Sequence, residues 1–155
     1  LIDKRLGGDL EHFIGQPFLS LIFLFGILNI LGFVGKEALV AALGSSVFVV
    51  FCTPGSRIAN PRSVVGSHII CVLIGLGFQL LIPQFTGQFL LSAISVSFSM
   101  FVMVITQTEH PPAAGTALGF SMGGGSLEAF LFIVISVIIL STVKKVLTPW
   151  LVDLV

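Results

Sequence analysis

Charged residues make up only 9% of this 155-residue chain, against about 25% in ordinary soluble domains. So few charges cannot cover a globular surface. With 55% hydrophobic residues and a mean hydropathy of +1.14, lipid is the solvent that such a surface fits. Net charge is +0, so the basic face that nucleic acid requires is missing and no nucleic-acid partner is expected. Cysteine is nearly absent: Cys52 and Cys71 both lie in apolar surroundings. No CxxC and no Cys/His pair occurs, which argues against a disulfide framework or a zinc site. Both read as packing residues. The chain also lacks an HExxH motif, a phosphate loop and a nucleophile–base triad. It is not expected to be an enzyme, nor to carry a metal or another cofactor.

Long apolar runs are what the chain has instead. Residues 1–16 mix polar and apolar side chains and read as an interfacial N-terminal segment lying on the membrane. Pro17 opens an uncharged run to Val34, ended by Lys36 and Glu37. Further runs cover Ala38–Cys52, Val64–Ile82, Phe89–Ile105, Ala113–Gly125 and Leu127–Val143. The third and fourth are joined by a turn over Pro83–Gln88, and Lys144-Lys145 closes the last. About 20 apolar residues cross a bilayer, so the fifth run is too short to cross unaided and needs shielding by other helices. The predicted fold is all-α: a polytopic membrane bundle of five to six segments over residues 17–146, followed by a tail over 147–155.

If every run crosses, Lys4, Arg5, Arg57, Arg62, Lys144 and Lys145 share one side, and only Lys36 falls on the other. The positive-inside rule then places both termini inside. A shift of 50 positions superposes Ser45 on Ser95, Phe48 on Phe98, Phe51 on Phe101, Pro61 on Pro111 and Gly75 on Gly125. This is a weak internal repeat of helix, proline-containing break and second helix. Because the shift advances two crossings, the two units would run parallel.

The chemistry concentrates in the two breaks. Asn60 can cap a helix with Pro61 at its first position, and His110 stands similarly before Pro111 and Pro112. Orphan amides and the positive dipole end of such helix starts attract anions. Arg57, Arg62 and Ser63 add donors at the first break; His110 and Thr116 add them at the second, beside the acid Glu109. Arg57 also reads as a loop anchor to lipid headgroups. His68, one turn into the third run, is a titratable group in an apolar stretch, and with Glu109 is a candidate for proton coupling. Gly115, Gly119 and Gly123 form a four-residue stripe suited to close helix packing. Ser92, Ser95 and Ser99 form a polar face on the fourth run, where hydroxyls often bond only their own backbone.

The stretch Thr108-Glu109-His110-Pro111-Pro112-Ala113-Ala114-Gly115-Thr116-Ala117-Leu118 closely resembles the signature of the HPP family of integral membrane proteins. Ala59-Asn60-Pro61-Arg62-Ser63-Val64-Val65-Gly66-Ser67-His68 resembles that family's second hallmark, departing from it at Asn60, Ser63 and Ser67. The resemblance runs from the second apolar run to the sixth. It implies four or more membrane helices and a transport role, with nitrite as substrate in plastid and cyanobacterial members. It also implies a plastid inner envelope or a bacterial plasma membrane, with another organelle membrane as the alternative.

Together these readings predict a small-anion transporter or channel with its site between the breaks. Asn60, Arg62, Ser63, His110 and Thr116 would bind the anion. The partners are then the anion and the bilayer, with a homo-oligomer or a larger membrane complex as a further assembly. The competing reading is a non-transporting structural subunit of such a complex.

Overall fold

The computed structural model describes residues 10–31, 37–81 and 87–155. It is an all-helical bundle: α1 (Leu10–Leu31), α2 (Glu37–Cys52), α3 (Pro61–Leu81), α4 (Gln88–Ile105), α5 (Ala113–Gly119) and α6 (Leu127–Leu147). A 3-10 turn over Arg57–Ala59 lies in the first break, and a wide turn over Phe120–Gly124 extends α5. The sequence reading of an all-α bundle with a short fifth segment agrees with this. Residues 1–9, Lys36 and most of the predicted 83–88 turn lie outside the described residues.

α1, α3, α4 and α6 are each long and apolar enough to cross a membrane, while α2 has 16 residues. α5 and its extension have 7 and 5 residues, about 18 Å at 1.5 Å per residue, well short of a ~30 Å hydrocarbon core. The short segment is packed between α2, α3 and α4, so its neighbours shield it as the sequence requires. Outward faces carry large apolar side chains: Phe25 is 67% exposed, Leu80 75% and Phe89 78%. The inward face of α4 is Ser92, Ser95, Ser99 and Met103. That distribution inverts the soluble pattern and suits a lipid exterior.

One boundary differs from the sequence expectation. The first helix begins at Leu10 and runs through Pro17 rather than starting there. A proline disfavours the helical conformation of the residue before it, here Gln16. The Gln16 side chain is fastened instead: its Nε2 donates to the carbonyls of Phe51 and Val152, and its Oε1 accepts from the Val152 amide at 2.9 Å. The same end holds the segment after α6, where the Leu154 amide donates to the Cys52 carbonyl at 2.8 Å and the Gly55 amide to Asp153 at 2.8 Å. Gln16→Ala should therefore loosen residues 148–155 without disturbing the bundle. Losing these bonds should cost about 2 kcal/mol locally, on the order of thirtyfold faster amide exchange at Leu154. Hydrogen exchange measures this; unchanged protection at Leu154 would refute the fastening.

These contacts also fix the relative sense of the helices. The start of α1, the end of α2, both breaks and the tail after α6 share one end of the bundle. Arg57, Arg62, Lys144 and Lys145 are at or near this end, and Glu37 and Glu128 begin helices at the other. The two halves of the proposed repeat, α2–break–α3 and α4–break–α5, run in the same sense.

Candidate functional site

Each break is set by local chemistry. α4 ends in a paired C-terminal motif: the Thr108 amide donates to the Met103 carbonyl at 2.9 Å, and the Gln107 amide to the Val104 carbonyl at 3.2 Å. This turn requires a left-handed residue, usually glycine; here Gln107 takes it, with φ 55°. Thr106 and Thr108 hydroxyls meet at 2.8 Å. At the first break, Asn60 has extended backbone and its carbonyl accepts the Val64 amide at 2.9 Å. Its side chain is exposed. Pro61 at the first position of α3 loses no bond, because that donor has no helical partner.

The two breaks meet, as the sequence reading required of a shared site. The His110 Nδ1 donates to the Ile58 carbonyl at 2.7 Å, and Arg62 donates to the Thr106 carbonyl at 3.2 Å. Arg57 and Glu109 pair at 3.7 Å. With Arg57 62% exposed, that pair contributes at most about 1 kcal/mol. Arg57 and Arg62 thus form an exposed basic rim over the break.

Beneath the rim is a closed hydrogen-bond chain in the interior. His110 Nε2 lies 2.9 Å from Ser46 Oγ; Ser46 Oγ lies 3.0 Å from His68 Nε2; His68 Nδ1 lies 2.8 Å from Thr116 Oγ1. All four residues are wholly buried, and the imidazole centroids are 5.5 Å apart. The partners assign the protons. A carbonyl only accepts, so Ile58 requires the proton of neutral His110 on Nδ1. Its Nε2 is then an acceptor and takes the Ser46 hydroxyl proton. Ser46 has no second proton, so His68 Nε2 donates to it. His68 Nδ1 is left bare and accepts from Thr116. Every polar side-chain atom of these four residues is satisfied, which buried groups require. The Ser46 hydroxyl also lies 2.9 Å from the Ala42 carbonyl, a competing acceptor.

Close backbone approach makes this chain possible. A Cβ at Gly75 of α3 would fall 2.6 Å from the Phe120 Cβ and 2.8 Å from the Ala117 carbonyl. Gly115 faces Ala42 and Gly119 faces Leu39 of α2, so these two glycines let α5 seat against α2. Gly123 does not extend that stripe. It has φ 94°, with nothing within 4 Å of a built Cβ, and lies in the turn that ends the α5 extension. Its glycine serves a left-handed conformation, not packing.

The candidate binding residues divide by depth. Asn60 and Arg62 are exposed at the rim, Ser63 is buried, and His110 and Thr116 belong to the interior chain. The amides that open α5 are not free donors: those of Ala113, Ala114 and Gly115 donate to the carbonyls of His110, Pro111 and Pro112 at 2.9, 3.1 and 3.1 Å. A cleft of about 190 Å³ runs in beside the second break, lined by Met100, Met103, Val104, Glu109, His110, Pro111 and Ala114. Another of about 310 Å³ opens near the opposite end, lined by Glu37, Ala38, Leu39, Gly119, Met122, Gly123 and Gly124.

Sequence reasoning missed Ser46, the joint between the histidines. Its only signal was a hydroxyl in an otherwise apolar run, which Ser45 shares; yet Ser45 is exposed and, among the described residues, bonds the Ala41 carbonyl of its own helix. On the serine face of α4, Ser99 bonds the Ser95 carbonyl at 2.8 Å. The Ser92 and Ser95 hydroxyls are buried without a partner among the described residues. Cys52 and Cys71 are free thiols, and Cys71 packs with Met103, Ala113 and Ala117.

The chain matches the family described as "HPP, transmembrane region" over residues 11–154. It is also similar to two proteins of Dictyostelium discoideum, each described as a transmembrane protein. One is 28% identical over 88 residues, covering 56% of this chain and 31% of the relative. The other is 31% identical over 116 residues, covering 71% and 37%. The matched region spans about a third of each relative's length. No solved structure matches the chain. With a match over nearly its whole length, four helices able to cross a bilayer and an apolar exterior, the chain belongs to the HPP family of integral membrane proteins.

Proposed function

We propose that the protein is a transporter or channel for a small anion, with nitrite as the anion that family resemblance favours. One observation carries this reading: two proline-containing breaks meet under a basic rim, directly above buried histidines in an otherwise apolar bundle. Polar breaks inside membrane bundles typically form binding sites. In this reading Arg62 receives the anion at the start of α3, helped by the positive end of a 21-residue helix. Asn60 and Ser63 flank it, and His110 and Thr116 stand deeper on its route. His68 and Glu109 are the groups available to couple a proton. The family resemblance favours a plastid inner envelope or a bacterial plasma membrane, with another organelle membrane as the alternative.

Nitrite flux into proteoliposomes tests the proposal. Arg62→Ala should lower uptake on the order of tenfold while leaving the fold intact, since one exposed charge contributes little stability. His110→Gln should lower it at least as much. Absence of flux in the wild type, or wild-type flux in both variants, would defeat this reading.

A further inference from the structure

The interior chain has a property that binding alone does not need: the same heavy atoms can satisfy two protonation states. In the neutral state all its bonds point one way, from Thr116 through His68 and Ser46 to His110 and the Ile58 carbonyl. Consider one added proton. A water-borne proton joins Thr116 Oγ1 as the Thr116 proton moves to His68 Nδ1. The His68 Nε2 proton passes to Ser46 Oγ, and the original Ser46 proton passes to His110 Nε2. Four protons each shift one place, and the net charge rests on His110. His110 now donates at both nitrogens, to Ile58 and to Ser46. Ser46 donates to His68 Nε2, and His68 Nδ1 donates to Thr116. No bond is lost; the stretch from Thr116 to His110 simply reverses polarity.

We propose that Thr116, His68, Ser46 and His110 form a one-proton store, loaded through Thr116 and held at His110. The ends dictate the direction. The Ile58 carbonyl is a poor base and cannot pass a proton on, whereas the Thr116 hydroxyl can accept and donate. The far cleft reaches Gly119, three residues or about 4.5 Å along α5 from Thr116. The capacity is one, because two imidazolium charges with centroids 5.5 Å apart repel strongly in a dry interior.

The surroundings leave these histidines as the seat of charge. α4 and α5 contain no charged residue. On α2 only Glu37 is charged, nine residues from Ser46; on α3 only Arg62 is, and Cys71 is the other titratable group. On α6, Glu128, Lys144 and Lys145 lie near its ends. At the breaks, Glu109 is paired with Arg57. A cation at His110 would favour an anion beneath the rim, and by linkage the anion would favour the proton. That coupling rests on the transport reading, whereas the store does not.

Ring-nitrogen NMR on the ¹⁵N-histidine protein in nanodiscs tests it, with His12→Gln removing the third histidine. At neutral pH, His110 should be the Nδ1–H tautomer and His68 the Nε2–H tautomer. On acidification His110 should become the imidazolium while His68 switches to Nδ1–H. Ser46→Ala cuts the path from Thr116 to His110, so His110 should no longer charge over the same pH range and His68 should keep its tautomer. If His68 keeps its tautomer in the wild type, or takes the charge itself, the store is wrong. Should Ser46→Ala not fold, the wild-type titration alone decides. Sodium nitrite, against sodium gluconate, should raise the pH at which His110 charges. A tautomer switch with no nitrite effect would support the store and overturn its coupling to nitrite.

Discussion

Gly75→Val should be among the most damaging single substitutions in the bundle. Even the first carbon of a side chain at position 75 would fall 2.6 Å from the Phe120 Cβ and 2.8 Å from the Ala117 carbonyl. The carbonyl is backbone, so relief requires α5 to move away from α3. Overpacking of this kind costs about 1–3 kcal/mol for modest insertions, so alanine should lie in that range and valine at its top or beyond. Moving α5 also separates Thr116 from His68 and opens the interior chain. Gly77 is the internal control. It lies two residues along the same helix with nothing within 4 Å of a built Cβ. Gly77→Ala should be neutral or stabilising by up to about 1 kcal/mol, as alanine is the better helix former. Thermal or denaturant unfolding in detergent compares the variants directly. If Gly75→Ala proves as harmless as Gly77→Ala, the close approach of α3 and α5 is wrong.

The second large effect is expected at His110. His110→Ala strips the Ile58 carbonyl and the Ser46 hydroxyl of their partner and leaves a cavity in a buried position. Orphaned buried polar groups cost about 1–3 kcal/mol each, so a total loss of about 3 kcal/mol is expected. Ser46→Ala should also destabilise, because it orphans both histidine Nε2 atoms. Joined in one chain, the two substitutions cannot add. The double variant should be milder than the sum by about 1 kcal/mol or more, whereas independent sites agree within about 0.5 kcal/mol. Additive behaviour would mean that Ser46 does not join His110 to the rest of the chain.

Much of this protein was legible from sequence because the relevant forces act locally. Uncharged runs ended by Lys36-Glu37 and Lys144-Lys145 delimit membrane segments, since a charge in hydrocarbon is costly. Pro61 marks the first turn of α3, because proline tolerates only that helical position well. The glycines at 115 and 119 marked a tight helix face. The same rule overreached at Gly123, where glycine answers to a positive φ. Reading proline as an opener overreached at Pro17, which α1 runs through, its neighbour Gln16 being bonded to Phe51 and Val152. Both exceptions depend on contacts distant in sequence or on a turn geometry that spacing does not encode.

The sequence by itself determined the solvent, the helical segments, the two breaks and the parallel sense of the two halves. Those properties follow from hydropathy and backbone stereochemistry, which neighbouring residues set. Only the tertiary structure decided which polar residues meet. Ser46, His68, His110 and Thr116 are joined across separations of 22, 64 and 48 positions, and one partner, Ile58, contributes only its carbonyl. Their meeting depends on how far each helix is rotated and how closely α5 can approach α2 and α3. A hydroxyl on an apolar helix has no fixed role until that rotation turns it inward. Ser46 and Ser45 are neighbours in the chain, but only Ser46 faces the histidines.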